Sequence, residues 1–397
     1  MRTYDAVVVG GRVAGASTAL LLARAGARVA LLDRSRYAAD TLSTHGLMRA
    51  GVLQLSRWGL LDQVVAAGTP RIRTTTFHYG DEDPVHISIR PSTGVDALYA
   101  PRRMVLDRIL VDAAAAAGVD VLHETRVTEL LRDRAGRVSG VRFRTPRGPG
   151  ELSARFVVGA DGISSLVAQQ VGAPLLREGR WGSAVQYAYY EGLDGAGYEW
   201  AYRDGAAAGL IPTNDGLSCV FVATSPLRMR TLRMERSARS TFDTMFALAA
   251  PRHVDRLASA TPAGRYHGWA GRRGFVRGSW GPGWALVGDA GHFKDPISTH
   301  GMTDALRDAD LLAGALLDSI AGTRPESVAL DGYQRRRDQL SAQLFEVSDE
   351  LAGYAWDGDQ VQPLLRRVSA AMIDEVEMLE SLPTAGERRA RPEPVRG

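Results

Sequence analysis

The strongest constraint on the fold is the first fifteen residues: an apolar run, Ala6 to Val9, breaks into Gly10-Gly11-Arg12-Val13-Ala14-Gly15. A short continuous apolar run bounded by glycine reads as a strand buried on both faces, the usual state of a parallel sheet. Ala14 to Ala25, rich in Ala and Leu, reads as a helix, and Arg28 to Leu32 as a second strand with Asp33 at its end. Strand, tight turn, helix and strand make a βαβ unit with a parallel pair. Such a turn aims backbone N–H groups at a helix N-terminus, which is what the diphosphate of a dinucleotide needs. Gly10 supplies the sharp turn, Val13 and Ala14 lie where the helix begins, and Gly15 lets that helix pack closely on the strand. Arg12 occupies the second glycine position of GxGxxG, which is tolerable if its φ is negative and its guanidinium points outward or toward the diphosphate. Asp33 lies 23 positions after Gly10, placed to accept hydrogen bonds from ribose hydroxyls, with Arg34 beside it. The motif alone does not choose NAD from FAD.

Composition narrows the partners. The 397 residues suit two domains plus a tail, and 45% apolar with 23% charged residues allow a sizeable core. Net charge is only +3, and Lys294 is the sole lysine. The arginine-rich basicity reads as a coding preference, and no basic face studded with aromatics points to nucleic acid. Cys219 is alone, so neither a disulfide framework nor a cysteine metal cluster is expected, in keeping with a reducing cytoplasm. Structure starting at Thr3 leaves no signal peptide to expect, and no apolar run approaches the roughly 20 residues of a membrane span.

Along the chain, Leu106 to Ala117 reads as a helix stopped by Gly118, followed by the strand Val119 to Leu122. Arg126 to Arg132, Gly136 to Arg144 and Ala154 to Gly159 read as further strands. Segments 74–89 and 181–222 alternate polar and apolar residues and carry turn signals at Asp204-Gly205 and Asn214-Asp215-Gly216, predicting a second, largely antiparallel sheet. Strand character returns at Trp284 to Val287, and a helix is expected from Thr303 to Ser319. The fold class is thus α/β: a Rossmann domain, discontinuous over 1–70, 100–180 and 273–325, with an inserted antiparallel β-sheet domain over 71–99 and 181–272. C-terminal helices follow over 326–382, and a disordered tail is expected over 383–397.

A second strand-end motif selects the cofactor. Trp284-Ala285-Leu286-Val287-Gly288-Asp289 ends a strand in Gly-Asp, and Pro296 and Gly301-Met302 precede a helix. A helix N-terminus there favours a group carrying negative charge, as a reduced flavin does. Together with the glycine turn and Asp161-Gly162 after Phe156-Val157-Val158, this trio resembles the fingerprints of the p-hydroxybenzoate hydroxylase-like flavoproteins, over about residues 1 to 345. That family includes monooxygenases, flavin halogenases and geranylgeranyl reductases, and its FAD domain is of the GR2-like Rossmann kind. The resemblance implies that FAD is bound by Asp33 at the adenosine ribose and by Asp289 at the ribityl or diphosphate region. It implies Met302 under the isoalloxazine, Val127 at the adenine end, Arg103 of Arg103-Met104-Val105-Leu106-Asp107 near the flavin, and Ser43-Thr44-His45 near its ring. Asp161 belongs to a fingerprint tied to both FAD and the nicotinamide donor; Ala168 stands where that fingerprint has Arg, so NAD(P)H is a less secure expectation than FAD.

His45, His292 and His300 flank these segments, and His45 and His300 are the candidate proton donors. No metal is expected, since their spacing matches no ligand pattern. Tyr187, Tyr189, Tyr198, Trp200 and Tyr202 alternate along two strands and offer either a substrate wall or ordinary sheet packing. The expected activity is FAD-dependent monooxygenation of a small apolar or aromatic metabolite with O2. The alternatives are a dehydrogenase or reductase of the geranylgeranyl reductase type, and a noncatalytic flavin-binding protein. The Trp-x-Trp-x-Ile-Pro segment of the halogenases is absent. The oligomeric state is left open.

Overall fold

The computed structural model describes residues 3–383 apart from Thr93, Asp194 and Ala196; the expected tail beyond 383 lies outside the described residues. The opening unit is strand β1 (Thr3–Val9), helix α1 (Val13–Arg24) and strand β2 (Val29–Leu32), paired in parallel with Ala6 opposite Val29 and Val9 opposite Leu32. Ala6 and Val8 enter one core while Val7 and Val9 enter another. That two-sided burial is why β1 is continuously apolar.

Strand Gly148–Gly159 pairs in parallel with the other side of β1, and Trp284–Leu286 follows it; Asp120–Leu122 flanks β2. Helix α1 and helices Arg103–Ala116 and Gly301–Ala321 contribute to the core on one face. The meander Arg126–Arg132, Val138–Thr145 and Gly148–Gly159 covers the other. The ends of β1, Gly148–Gly159 and Trp284–Leu286 therefore lie side by side, and the three fingerprints follow them.

The second sheet has seven strands, ordered Thr261–Trp269, Ala184–Glu191, Ser218–Thr224, Ala206–Pro212, Tyr198–Arg203, Thr74–Tyr79, Val85–Ser88. It is antiparallel except where Tyr198–Arg203 runs parallel to Thr74–Tyr79. Asp204-Gly205 makes the expected two-residue turn, both residues having positive φ (46° and 67°). One face packs Tyr187, Tyr189, Trp200 and Tyr202 toward the Rossmann side and the C-terminal helices. The other is covered by Phe242, Met245 and Phe246 of helix Ala238–Ala249.

The structure differs from the sequence expectation in part of the inserted domain. The part of the inserted domain beyond the 181–222 sheet segment, for which no elements were expected, contains helices Pro226–Glu235, Ala238–Ala249 and Val254–Ala258. Ser225 and Ser237 cap the first two by accepting from Arg228 N–H and Ser240 N–H, and Pro226 occupies a favoured first-turn position. Those cap signals were present in the sequence, but the arginine-rich Pro226–Glu235 helix has little apolar periodicity. After Arg324, helices Glu326–Leu351 and Gly358–Ser381 run as expected; Asp357 and Gln360 form a capping box that starts the second.

Gly10 has φ +107°, and an added Cβ would lie 2.3 Å from the Ala160 carbonyl oxygen. Gly10→Ala is therefore expected to lower the melting temperature by several degrees. Backbone strain of about 1–3 kcal/mol adds to that clash. Scanning calorimetry checks this, and an unchanged transition would show that the turn relaxes freely.

Candidate active site

The glycine turn brings Gly11 N–H to Asp33 Oδ2 at 2.6 Å, and Ser35 N–H to Asp33 Oδ1 at 2.6 Å. Two backbone donors thus orient the buried carboxylate, and each oxygen keeps a lone pair for a ribose hydroxyl. Arg12 has φ −95° and leaves the N-terminus of α1 without a side-chain cap, so the first N–H groups there face the turn. Its guanidinium spans the cleft, donating to Asp107 Oδ2 at 2.9 Å and to the Ala39 carbonyl at 2.7 Å. Arg103 grips the same Asp107 at 3.2 Å. Asp107, which sequence reasoning quoted only as part of a motif, thereby holds two guanidinium groups beside the turn. Gly11, Arg12, Asp33, Ser35, Tyr37, Asp107 and His123 line a common cleft. Val127 is two residues beyond Thr125, whose N–H donates to the Asp33 carbonyl at 2.8 Å; Arg34 is exposed next to Asp33.

The other fingerprints flank this cleft. Asp161 accepts from Ser165 Oγ–H at 2.5 Å and Leu166 N–H at 2.7 Å, fastening the start of helix Leu166–Val171. Its carboxylate organises the loop, and burial raises its pKa. Asp289, half-buried, follows strand Trp284–Leu286. Burial pushes its carboxyl up to about 7; Arg103 opposes, Asp304 and Asp308 add, and Lys294 opposes. Pro296 starts the short turn Pro296–Ser298, and Gly301 and Met302 open the long helix. An added Cβ at Gly301 would meet nothing within 4 Å. The glycine cradle, uncapped α1, oriented Asp33 and open Gly301 fit FAD.

The three histidines part company. His45 is buried with φ +66°, and its Nε2 shares a short contact with Tyr189 Oη. Burial pulls its pKa down to about 3, so the ring is neutral at pH 7. Thr44, partly buried, precedes it. Ser43 N–H donates to Tyr187 Oη at 3.3 Å. His300, the N-cap residue of helix Gly301–Ala321, instead directs Nε2 to Glu375 Oε2 at 2.6 Å. His292 is buried against Phe345, and burial holds its pKa well below the ordinary value.

Sequence reasoning did not anticipate the charges below this site. Lys294 Nζ lies 2.8 Å from Asp304, and Arg307 Nη1 lies 2.9 Å from Asp304 and 2.6 Å from Glu375. Despite the burial penalty, Lys294 and Arg307 hold the Asp304 carboxyl far below its ordinary value. One signal was available: the only lysine of an arginine-rich chain sits inside the Gly288–Gly301 segment.

A family model described as FAD binding domain matches residues 3–348. The chain belongs to this family and is an FAD-dependent oxidoreductase of the p-hydroxybenzoate hydroxylase-like group. It is 27% identical over 348 residues to digeranylgeranylglycerophospholipid reductase 2 of Methanothermobacter thermautotrophicus, covering 84% of this chain and 83% of that relative. In structure it is similar to PqsL, a probable FAD-dependent monooxygenase from Pseudomonas aeruginosa. The TM-score is 0.79 at 22% identity, covering 92% of this chain and all of the other. It is also similar to the myxobacterial chondrochloren halogenase CndH, with a TM-score of 0.76 at 24% identity, covering 87% and 82%. Among the described residues no helix is long and apolar enough to cross a membrane.

Asp33→Ala is expected to weaken FAD binding by about one to two powers of ten, from the loss of about 1.5–3 kcal/mol of charged hydrogen bonding. Calorimetric titration of the apoprotein checks it, and unchanged affinity would remove Asp33 from the site. Asp289 gives a pH signature. A carboxyl raised to about 7 in the fold, against an unfolded value of about 3.9, adds apoprotein stability below pH 4 that is lost as pH rises through 7. Between those limits the melting temperature of wild-type apoprotein should fall relative to that of Asp289→Asn; parallel curves would place the carboxyl in water.

Proposed function

We propose that the protein is an FAD-dependent monooxygenase acting on a small aromatic or apolar metabolite, with NAD(P)H as electron source. The observation that carries the reading is the contact between the Ser43–His45 segment and the phenols of Tyr187 and Tyr189 on the buried sheet face. His267 stacks on Tyr187 with ring centroids 4.8 Å apart, and the Arg102 guanidinium lies over the Tyr189 ring at 4.8 Å. Such a wall, apolar with a few polar tips, suits a flat aromatic ligand. Tyr198 is fully buried against Trp200, and Tyr202 packs on Trp356. They support the sheet rather than line a site.

Asp33, Asp289 and the glycine turn would hold FAD, and Arg103 would stand beside it. Bound flavin supplies hydride acceptance and the reduction of O2. The chain's own part is to exclude water and orient the substrate. Burial raises the Tyr189 phenol far above its ordinary pKa while His45 is held neutral. At pH 7 this pair therefore keeps one proton between Oη and Nε2 without either group becoming charged. A phenol so placed can hydrogen-bond a bound molecule and fix its orientation. The buried aromatic surround supports oxygen chemistry by keeping bulk water away.

A reductase reading is favoured by one specific observation, the similarity to digeranylgeranylglycerophospholipid reductases along most of both chains. The two readings separate on oxygen. A panel of small aromatic acids and amines is screened for stimulated NAD(P)H oxidation. With the best of them, labelled dioxygen should leave one labelled atom in product and one in water. Tyr189→Phe should retain FAD while turnover falls by up to about tenfold, the loss of one hydrogen bond of about 0.5–1.5 kcal/mol. Anaerobic turnover with no label incorporated in air would overturn the oxygenase reading and leave a reductase.

A further inference from the structure

On the face of the seven-stranded sheet away from the phenols, three side chains converge. In strand Thr74–Tyr79, Phe77 and Tyr79 pack toward the C-terminal helices, so His78 between them points to the opposite side. In strand Tyr198–Arg203, Tyr198, Trp200 and Tyr202 do the same, which turns Glu199 to the side of His78. The two strands pair in parallel with His78 opposite Ala201. His253 arrives from the turn Pro251–His253, which joins the helices covering this face.

His253 Nε2 is 3.2 Å from His78 Nε2 and 3.2 Å from Glu199 Oε2, and His78 Nε2 is 3.5 Å from the same oxygen. The rings are perpendicular, with centroids 4.6 Å apart. The other carboxylate oxygen, Oε1, is taken by Arg256 at 2.5 Å. Hydrogen bonding alone leaves one edge of this triangle unsatisfied. Each Nε2 carries at most one proton. If both donate to Oε2, no hydrogen lies between the two nitrogens, 3.2 Å apart. If one donates to the other ring, neither nitrogen donates to Oε2.

A cation is attractive along all three directions. A triangle of sides 3.2, 3.2 and 3.5 Å has a point about 2.1 Å from every corner and about 0.9 Å out of its plane, close to the proportions of a tetrahedral zinc site with bonds of about 2.0–2.2 Å. The octahedral preference of magnesium, with oxygen ligands, does not match two imidazoles. His78 and Glu199 side chains keep 13% and 16% of their surface exposed, leaving a route for a fourth, water ligand. Arg256 on Oε1 orients the carboxylate and leaves Oε2 to face the imidazoles, as outer partners of metal ligands do.

We propose that His78, Glu199 and His253 bind one zinc ion, completed by water, which clips the helical cover onto the outer face of the substrate sheet. The second cluster of this kind among the described residues, His300, Asp304 and Glu375, takes no metal. Lys294 and Arg307 already stand as its cations, 2.8 and 2.6 Å from Asp304 and Glu375. The site lies on the opposite face from Tyr187 and Tyr189, so its fate is separable from that of the flavin.

The test uses untagged holoenzyme, stripped with a chelator and returned to zinc chloride. Wild type should retain one zinc per chain through gel filtration, read by elemental analysis, and its melting temperature should rise while FAD content is unchanged. His253→Ala and Glu199→Gln should each lower zinc affinity by more than the 10–100-fold that loss of an outer partner costs. His86→Ala, on the exposed neighbouring strand, should keep it. Cobalt(II) in place of zinc should give the intense visible absorption of a tetrahedral site in wild type. Wild type that takes up no stoichiometric zinc, or affinity equal among wild type, His253→Ala and Glu199→Gln, overturns the proposal. If His253→Ala fails to fold, the wild-type thermal response and cobalt spectrum decide, and absence of both also overturns it.

Discussion

One buried carboxylate, Asp304, carries the connection between the cofactor side of the protein and its C-terminal helices. It receives Lys294 from the segment before helix Gly301–Ala321 and Arg307 from the next turn of that helix. Arg307 then continues to Asp308 at 2.7 Å, to Glu375 on the last described helix, and to Ser341 Oγ at 2.8 Å. Charges this deep are tolerable only because each has its partner. Removing one side of such a pair typically costs about 3–5 kcal/mol, since the other remains buried and uncompensated. The network therefore fixes the pose of Gly301 and Met302 from behind. His300 is recruited into it through Glu375, leaving His45, of the two candidate proton donors, to meet the aromatic sheet.

That arrangement accounts for the single lysine. A guanidinium is planar, with its donors spread in a fork, whereas an ammonium is a compact point charge with three donors. Lys294 Nζ reaches both oxygens of Asp304, at 2.9 and 2.8 Å, in a site where Arg307 already presents its own fork to the same carboxylate. Coding preference can convert surface lysines to arginine at little cost. Within this network a compact ammonium shares the carboxylate with a fork that already engages it. A residue rare in its own chain thus marks a position where shape, and not charge alone, is selected.

The parts of the fold set by local rules were legible in the sequence. The βαβ unit follows from a short buried run, a glycine turn and a carboxylate at the strand end. The aromatic face of the sheet follows from alternation at Tyr187 and Tyr189 and at Tyr198, Trp200 and Tyr202. Helices Pro226–Glu235 and Ala238–Ala249 were missed because capping serines are weak signals beside an arginine-rich stretch. At the site, Asp33 and Asp289 were reachable because they end strands. Asp107 and Glu375 act through contacts 95 and 68 residues distant in sequence, a separation that no spacing rule encodes. The cluster of His78, Glu199 and His253 was out of reach for the same reason, since His78 and His253 meet across 175 residues.

Alternation in the second sheet has a consequence beyond packing. Because successive side chains point to opposite faces, strand Tyr198–Arg203 gives Trp200 and Tyr202 to the inner core and Glu199 to the outer cluster. Strand Thr74–Tyr79 likewise gives Tyr79 to one side and His78 to the other. A one-residue slip of either strand would put the charged groups among the aromatics and the phenols under the helical cover. The inner face rewards the register through burial, and the outer face penalises any other through the desolvation of Glu199. Two unlike chemistries on one pair of strands thus hold that register from both sides, which gives the Tyr187–Tyr189 wall a fixed frame against the Ser43–His45 segment.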